Sequence, residues 1–359
     1  MTTRLERLRS KMAELKLDGL LITQAENRHY ISGFTGSNGV LIITPTQQIL
    51  ATDSRYYQQV KEQCPTWQLE QVGYNFTATM LELLRKVELG GRKVGFESHV
   101  ITVAELQQWE QAIKGQLILV HTNGLVEGLR MQKEAGELVA LRKAIAVADN
   151  TMRYITAWIK PGMTEMQVAW EIESHMRLQG ATGMAFEPIV GSGPNGAKPH
   201  GRPSAKVIEA GEPIVLDFGC VVDSYNSDIT RTICLGEPKD ERYLKVWQTV
   251  LEAQEKSVAA AKAGMTGVDV DKVARDIIDG AGFKEYFGHG LGHGVGLAVH
   301  ESPRFSFMYP HEIPAEAAVT SEPGIYLPGS FGVRIEDIVL VHADYTETLT
   351  TAPKEPIIS

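Results

Sequence analysis

Four carboxylates and one imidazole in the second half of the chain stand in settings that suit metal better than solvent. Asp217 and Asp228 lie in IVLDFGCVVDSYNSDITRTICLG, Glu322 and Glu336 in VTSEPGIYLPGSFGVRIEDIVLV, and His293 falls between the pairs in FGHGLGHGVGLAVHESP. Each carboxylate pair brackets a stretch that reads as strand, turn, strand. A turn at Val222 and Asp223 would set Asp217 directly opposite Asp228, and a turn at Gly329 would set Glu322 opposite Glu336. Directly opposed side chains stand roughly 5 Å apart at Cβ, where like charges repel unless something neutralises them. Two such hairpins imply divalent metal, and more than one ion. Oxygen ligands with one imidazole can hold two ions roughly 3.5–4 Å apart, a spacing suited to hydrolysis. Asp217 follows Ile-Val-Leu, and Glu322 and Glu336 neighbour Ile325, Val333 and Ile335, so all three are expected to be buried. A buried, unpaired carboxylate is costly or shifts its pKa until neutral. Coordination resolves all three problems together.

The histidines and arginines around these ligands complete the candidate site. Glycine occupies every second position from Gly288 to Gly296. In an extended strand one face would be bare, and His289 and His293 would project together from the other. A helical His-Glu-x-x-His zinc site is excluded because the glycines would not hold a helix. His200 lies in the loop VGSGPNGAKPHGRPS and, taken alone, reads as a surface histidine. His300 follows the glycine run in LAVHESP, and Arg334 shares a strand face with Glu336, two residues on. Asp223 reads as a turn residue and Asp337 as the partner of a neighbouring arginine.

Composition narrows the class. With 359 residues the chain is long for one core, and two domains are expected. A net charge of −9 opposes a nucleic-acid or anionic-membrane partner. Cys64, Cys220 and Cys234 form no Cys-x-x-Cys pair, so neither a disulfide framework nor a thiolate zinc site is indicated. The start, MTTRLERLRSKMAELKLDGLLIT, lacks the apolar core of a signal peptide, and no apolar run approaches the ~20 residues that span a bilayer. A cytoplasmic protein is expected.

The elements that must carry these residues follow from hydrophobic periodicity. Up to about residue 125, helical patterns (RLERLRSKMAELK, SRYYQQVKEQ, NFTATMLELLRKV, TVAELQQWEQAIK) alternate with strand patterns (GLLIT, WQLEQVG, KVGFE, QLILVHT). GVLIITP and QQILATD read as a hairpin. This predicts an α/β domain with a mixed sheet, without a Gly-x-Gly-x-x-Gly turn or phosphate loop. From about Glu134 the order becomes helix, helix, hairpin, then helix, helix, hairpin. That order predicts an internal duplication with one carboxylate pair per half.

The ordered set IVLDFGCVVDSYNSDITRT, HGLGHGVGLAVHE, TSEPGIYLP and GVRIED resembles the metallopeptidases of the pita-bread fold, the group of methionine aminopeptidase, aminopeptidase P and prolidase. NRHYISGFTGSNG and ATDSRYYQQ resemble the creatinase/prolidase N-terminal domain, so the likeness covers essentially the whole chain. It implies an α/β N-terminal domain over 1–127 and an α+β pita-bread catalytic domain over 128–359. By resemblance Asp217 would bind one metal as a bidentate ligand, Asp228 and Glu336 would bridge two ions, and His293 and Glu322 would complete the separate shells. Hard oxygen donors with one imidazole suit Mn²⁺ or Co²⁺ at least as well as Zn²⁺. A hydroxide bridging the ions would attack the bond before proline. Glu322 would relay its proton to the leaving nitrogen, and His300 would support the oxyanion. His200, His289 and Arg334 would place the substrate, with His200 also catalytic. The resemblance implies short proline-containing peptides as substrates and a homodimer. Metal-free relatives of this fold, creatinase-like amidinohydrolases and non-catalytic binding modules, have lost ligands that are all present here. PHGRPS and the short length look more like prolidases and their small aminopeptidase relatives. Gly294 stands where long aminopeptidases P often carry tryptophan. These features leave dipeptidase and aminopeptidase both open.

Overall fold

A computed structural model describes residues 3–73 and 75–358, and the chain divides into two compact units, Met1–Arg130 and Met131–Ser359. In the first unit, six strands form one sheet. Its order from edge to edge is Gln68–Gln71, Gln48–Thr52, Val40–Ile43, Gly19–Ile22, Lys93–Glu97 and Ile118–Thr122. The three central strands Gln48–Thr52, Val40–Ile43 and Gly19–Ile22 run antiparallel and the outer pairings are parallel, so the sheet is mixed. The expected hairpin is present, with Ile42 opposite Ile49. One helix, Ala25–Ser32, has no counterpart in the periodicity, because it buries Asn27 and Arg28 beside Tyr30 and Ile31. Asn27 donates to Glu97 Oε1 at 2.7 Å and accepts from Arg130 at 2.8 Å, so polar bonds replace the apolar stripe that a sequence pattern detects.

The second unit is built twice over. Helices Ala135–Trp158 and Glu165–Leu178 pack on a sheet of Ile189–Ser192, Pro213–Phe218, Ile229–Leu235 and Ile357–Ile358. Helices Tyr243–Ala260 and Gly267–Gly280 pack on a sheet that orders as Glu301–Phe305, Gly292–Gly294, Ala317–Ser321, Asp337–Val341 and Thr346–Thr348. Each half has its own core, with Met152, Ile155, Val168 and Ile172 against Ile214 and Phe218 in one, and Val246, Val250, Val270 and Ile278 against Val319 and Val339 in the other. The repeat extends to the turn between each helix pair. Gly162-Met163-Thr164 and Gly264-Met265-Thr266 both place glycine at positive φ (+95° and +85°) and threonine as the N-cap of a capping box. The Met163 and Met265 carbonyls accept from Ile208 and Ile313, each at 2.8 Å. Among the described residues no helix is long and apolar enough to cross a membrane.

The two hairpins differ in how well sequence specified them. In the second, Ile325 pairs with Val333 and Gly324 with Arg334, and the same register runs on through Ser321 and Asp337, which sets Glu322 opposite Glu336 as expected. In the first, Asp217 pairs with Thr230, not Asp228. The turn falls at Asp223 and Ser224, both at positive φ (49° and 70°), so the register shifts by two and Asp228 lies diagonal to Asp217. A two-residue hairpin turn of this kind needs positive φ at both central positions, which β-branched Val222 resists and Asp223 tolerates.

Gly219 lies between the two aspartates, and a Cβ there would fall 1.8 Å from the Ser227 carbonyl oxygen. Gly219→Ala must push the two strands apart, a change expected to cost about 3 kcal/mol. Gly162→Ala meets nothing within 4 Å and pays only for its φ of +95°, about 1–2 kcal/mol. Chemical denaturation of both variants checks this, and equal costs would show that the strand approach at Gly219 is not tight.

Candidate metal centre

All five expected ligands line one cavity of about 530 Å³. Asp217 comes from Pro213–Phe218, Asp228 from the residue before Ile229–Leu235, and His293 from the middle of Gly292–Gly294. Glu322 follows Ala317–Ser321, and Glu336 joins Phe331–Arg334 to Asp337–Val341. Ligand atoms of Asp228, His293 and Glu336 lie within 4.8 Å of one another. The Glu336 amide donates to the Thr230 carbonyl at 3.0 Å, which stitches the second hairpin to the first.

The fit to metal rests on the state of these groups. Asp217 Oδ1 is buried with no hydrogen-bond partner among the described residues. Burial first, then the charges of Glu336, Asp217 and Glu322, drive the Asp228 carboxyl well above the usual range. Burial, then Glu322 and Asp217, does the same to Glu336. Burial pushes Glu322 up to about 7, against the pull of Arg334. Burial also raises Asp217 although Arg334 touches it. A cluster that resists its own ionisation in this way is one that cations would complete.

His293 is suited to the same task. Burial, reinforced by His300, lowers its pKa to about 3, so the imidazole is neutral. Its approaches to Glu322 (3.3 Å) and Asp228 (3.6 Å) are therefore not ion pairs. Nδ1 lies 3.1 Å from the Gly294 carbonyl, which assigns the proton there and turns the Nε2 lone pair toward the carboxylates. The Thr320 hydroxyl accepts from the His293 amide at 3.0 Å and donates to Glu322 Oε1 at 3.2 Å. Gly292 is required beside it, because a Cβ would fall 1.9 Å from the Thr320 carbonyl oxygen.

His289 corrects one expectation. The glycine run forms a strand only over Gly292–Gly294, so His289 does not share a strand face with His293. It still lines the cavity, with Nε2 3.0 Å from the Tyr326 hydroxyl and Nδ1 2.8 Å from the Gly290 carbonyl. Burial lowers its pKa to about 4, and burial raises Tyr326 to about 12. The neutral tyrosine hydroxyl can thus donate to the neutral imidazole. His200 and His300 are exposed at the cavity wall, and the His300 ring lies 4.3 Å from that of His293.

Arg334 departs further from its expected use. Its guanidinium is buried and donates to Thr230 Oγ1 (3.1 Å), the Tyr326 hydroxyl (2.8 Å), the Pro199 carbonyl (3.2 Å) and Asp217 Oδ2. No parallel pair of N–H bonds is left to grip a substrate carboxylate. Thr230 in turn donates to Glu336 Oε2 at 2.7 Å, so Arg334 sets the orientation of two ligands at once. Sequence reasoning missed three participants. Thr230 was detectable on the face of Asp228, and Tyr326 as the polar residue of PGIYLP. The third is Arg304, whose exposed guanidinium lines the cavity with no hydrogen bond or ion pair among the described residues. Asp337 is an arginine's partner as expected, but the arginine is the distant Arg231 (2.8 Å), joined by Lys354 (2.7 Å), not a sequence neighbour.

The chain is similar to known proteins along its full length. Residues 4–132 match the creatinase/prolidase N-terminal domain and residues 139–343 match metallopeptidase family M24. An uncharacterized peptidase of Bacillus subtilis is 39% identical over 99% of both chains. The structure of an Xaa-Pro dipeptidase from Bacillus anthracis superposes with a TM-score of 0.95 at 40% identity, covering 99% of each chain. That of an X-Pro aminopeptidase from Thermotoga maritima gives 0.87 at 37%, covering 97% of this chain and 100% of the other. The region that folds into the carboxylate cavity is the region the family match spans, and the chain belongs to metallopeptidase family M24.

Proposed function

We propose that this metallopeptidase hydrolyses the peptide bond before proline in short peptides, as an Xaa-Pro dipeptidase or Xaa-Pro aminopeptidase. The observation that carries the reading is the meeting of Asp217, Asp228, His293, Glu322 and Glu336 in one buried cavity whose rim holds His200, His300 and Arg304. Relatives named for both activities support it. The five ligands would hold two divalent ions, with Mn²⁺ or Co²⁺ suited to the oxygen-rich donor set. Bound there, they would supply the Lewis acidity that ionises a water near neutral pH and polarises the scissile carbonyl.

The chain's own residues supply the rest. Glu322, tethered by Thr320 at Oε1, has a carboxyl pushed up to about 7, suited to taking a proton at Oε2 and passing it on. Cleavage expels the proline ring nitrogen, which leaves as an amine only when protonated. His300, beside His293, would steady the carbonyl oxygen, and His200, on the same cavity lining, would help place the substrate. Arg304, whose guanidinium has no partner among the described residues, replaces Arg334 as the group that grips a carboxylate beyond proline.

Removal of metal should abolish release of proline from Ala-Pro, and Mn²⁺ or Co²⁺ should restore it better than Mg²⁺. Full activity at confirmed zero metal would sink the proposal. Comparing Ala-Pro with Ala-Pro-Ala on the restored enzyme separates dipeptidase from aminopeptidase.

The two arginines should respond differently. Arg304→Ala should raise KM for Ala-Pro by about tenfold, the order of one charge-assisted contact of roughly 1.5 kcal/mol, and leave metal content intact. Arg334→Lys cannot keep its contacts to Asp217, Thr230 and Tyr326 together and should lose metal. Metal analysis beside steady-state kinetics decides, and the reverse pattern would return the carboxylate grip to Arg334.

The metal-free protein should also be sensitive to pH. Glu322, Asp228 and Glu336 hold protons more tightly when folded than unfolded. The stability they contribute is therefore lost as pH rises, through about 7 for Glu322. Buried His293 and His289, lowered to about 3 and about 4, act in the opposite sense below about pH 6.5, so the window above it isolates the carboxylates. Thermal midpoints of the stripped protein should be higher at pH 7 than at pH 9, and added Mn²⁺ should recover more at the higher pH. A midpoint that rises with pH would show that these carboxylates are already compensated without metal.

A further inference from the structure

His300 lies at the end of an irregular loop, and something must hold it over His293. The pairing of Gly292–Gly294 with Glu301–Phe305 slips after His293, so Gly294 pairs with Glu301 and residues 295–300 bulge out. The near side of this loop is fastened by backbone bonds from Val295 to Ala318 (3.1 Å) and from Asn226 to Gly296 (2.8 Å), and by two side chains. Asn226 Nδ2 donates to the carbonyls of Gly296 (2.9 Å) and Leu297 (3.0 Å), and the Leu297 side chain packs with Leu141, Ala318 and Ile338. None of these reaches the far side, where His300 leaves the loop.

Glu301, the next residue, does. Its side chain is turned into the protein and meets Lys133 Nζ at 2.7 Å, with the two side chains only 6% and 1% exposed. Lys133 comes from outside both hairpins. It precedes the helix Ala135–Trp158, and its own backbone amide is fastened to the Glu316 carbonyl at 2.8 Å. The space is fully used, since a Cβ on Gly296 would fall 2.5 Å from Glu301 Oε1 and 3.1 Å from Lys133 Cε. Buried ion pairs add little net stability over apolar residues of the same size, so a retained one calls for another role. We propose that Lys133, through its buried pair with Glu301, is the positioning residue that holds His300 over the ligand His293. Glu301 opens the strand Glu301–Phe305 and His300 is the residue before it, so holding Glu301 inward fixes the backbone from which His300 reaches the cavity.

The inference rests on the role given to His300 above, and the test separates the two. The full chain loaded with Mn²⁺ is assayed on Ala-Pro. Lys133→Met should lower kcat by roughly 10–10²-fold, the cost of displacing a reacting group by about 1 Å, with KM and bound Mn²⁺ unchanged. Glu301→Gln, which keeps an acceptor for Lys133, should lose less. In a His300→Ala background Lys133→Met should change kcat no further, because only the position of His300 is at stake. Where Lys133→Met fails to fold, Glu301→Gln in the two backgrounds makes the same comparison. A loss that multiplies with His300→Ala, or Mn²⁺ lost from Lys133→Met, would overturn the proposal. An unimpaired His300→Ala enzyme would instead overturn the role of His300 itself.

Discussion

Four carboxylates crowded into one buried cavity are the constraint around which the catalytic unit is organised. Two unit charges 4–5 Å apart repel by about 3–4 kcal/mol at an effective dielectric near 20. The ligand atoms of Asp228 and Glu336 approach within 4.8 Å, with Asp217 and Glu322 on the same cavity wall. No stable fold gathers such groups by accident. The surroundings hold them by means other than their own attraction. Thr230 and Thr320 supply hydroxyl donors, and Arg334 supplies a buried positive charge against Asp217. Asp217 Oδ1 is left without a hydrogen-bond partner among the described residues, which leaves it free for a cation.

The duplicated architecture explains how this concentration is reached. Each half packs a helix pair on its own sheet and delivers one carboxylate pair from a hairpin. The halves meet at the Thr230–Glu336 bridge, where the amide of one ligand residue bonds to the backbone of the other hairpin. Behind the bridge, Arg231 donates to the Glu336 carbonyl at 2.6 Å and pairs with Asp337. Backbone bonds, caps and apolar cores thus absorb the repulsion that the side chains create. The Gly-Met-Thr turns recur because both halves solve the same local problem of joining two helices over a sheet.

Much of this was legible in the sequence, for identifiable reasons. The ligands could be read because charge is conspicuous inside apolar runs such as IVLDF and GVRIED. The second register was readable because Gly329 is the position in its turn that takes φ of +74°. The first hairpin slipped by two residues because its turn uses Asp223 and Ser224, neither of them glycine, at positive φ. The helix Ala25–Ser32 escaped notice because buried polar partners, contributed by Glu97 and Arg130, stand in for its apolar stripe.

Sequence by itself determined which residues could bind metal, in what order, and on two hairpins of a duplicated unit, because residue type and local periodicity carry that information. It could not say which cationic side chains are free. Arg334 and Arg304 look equally available in the chain. Only the fold brings Thr230, Tyr326, Pro199 and Asp217 around the first and leaves the second facing the cavity. The buried Lys133–Glu301 pair likewise joins residues far apart in sequence. Hydrogen bonding and ion pairing act over a few ångströms of space, and the tertiary structure alone decides which groups share that space.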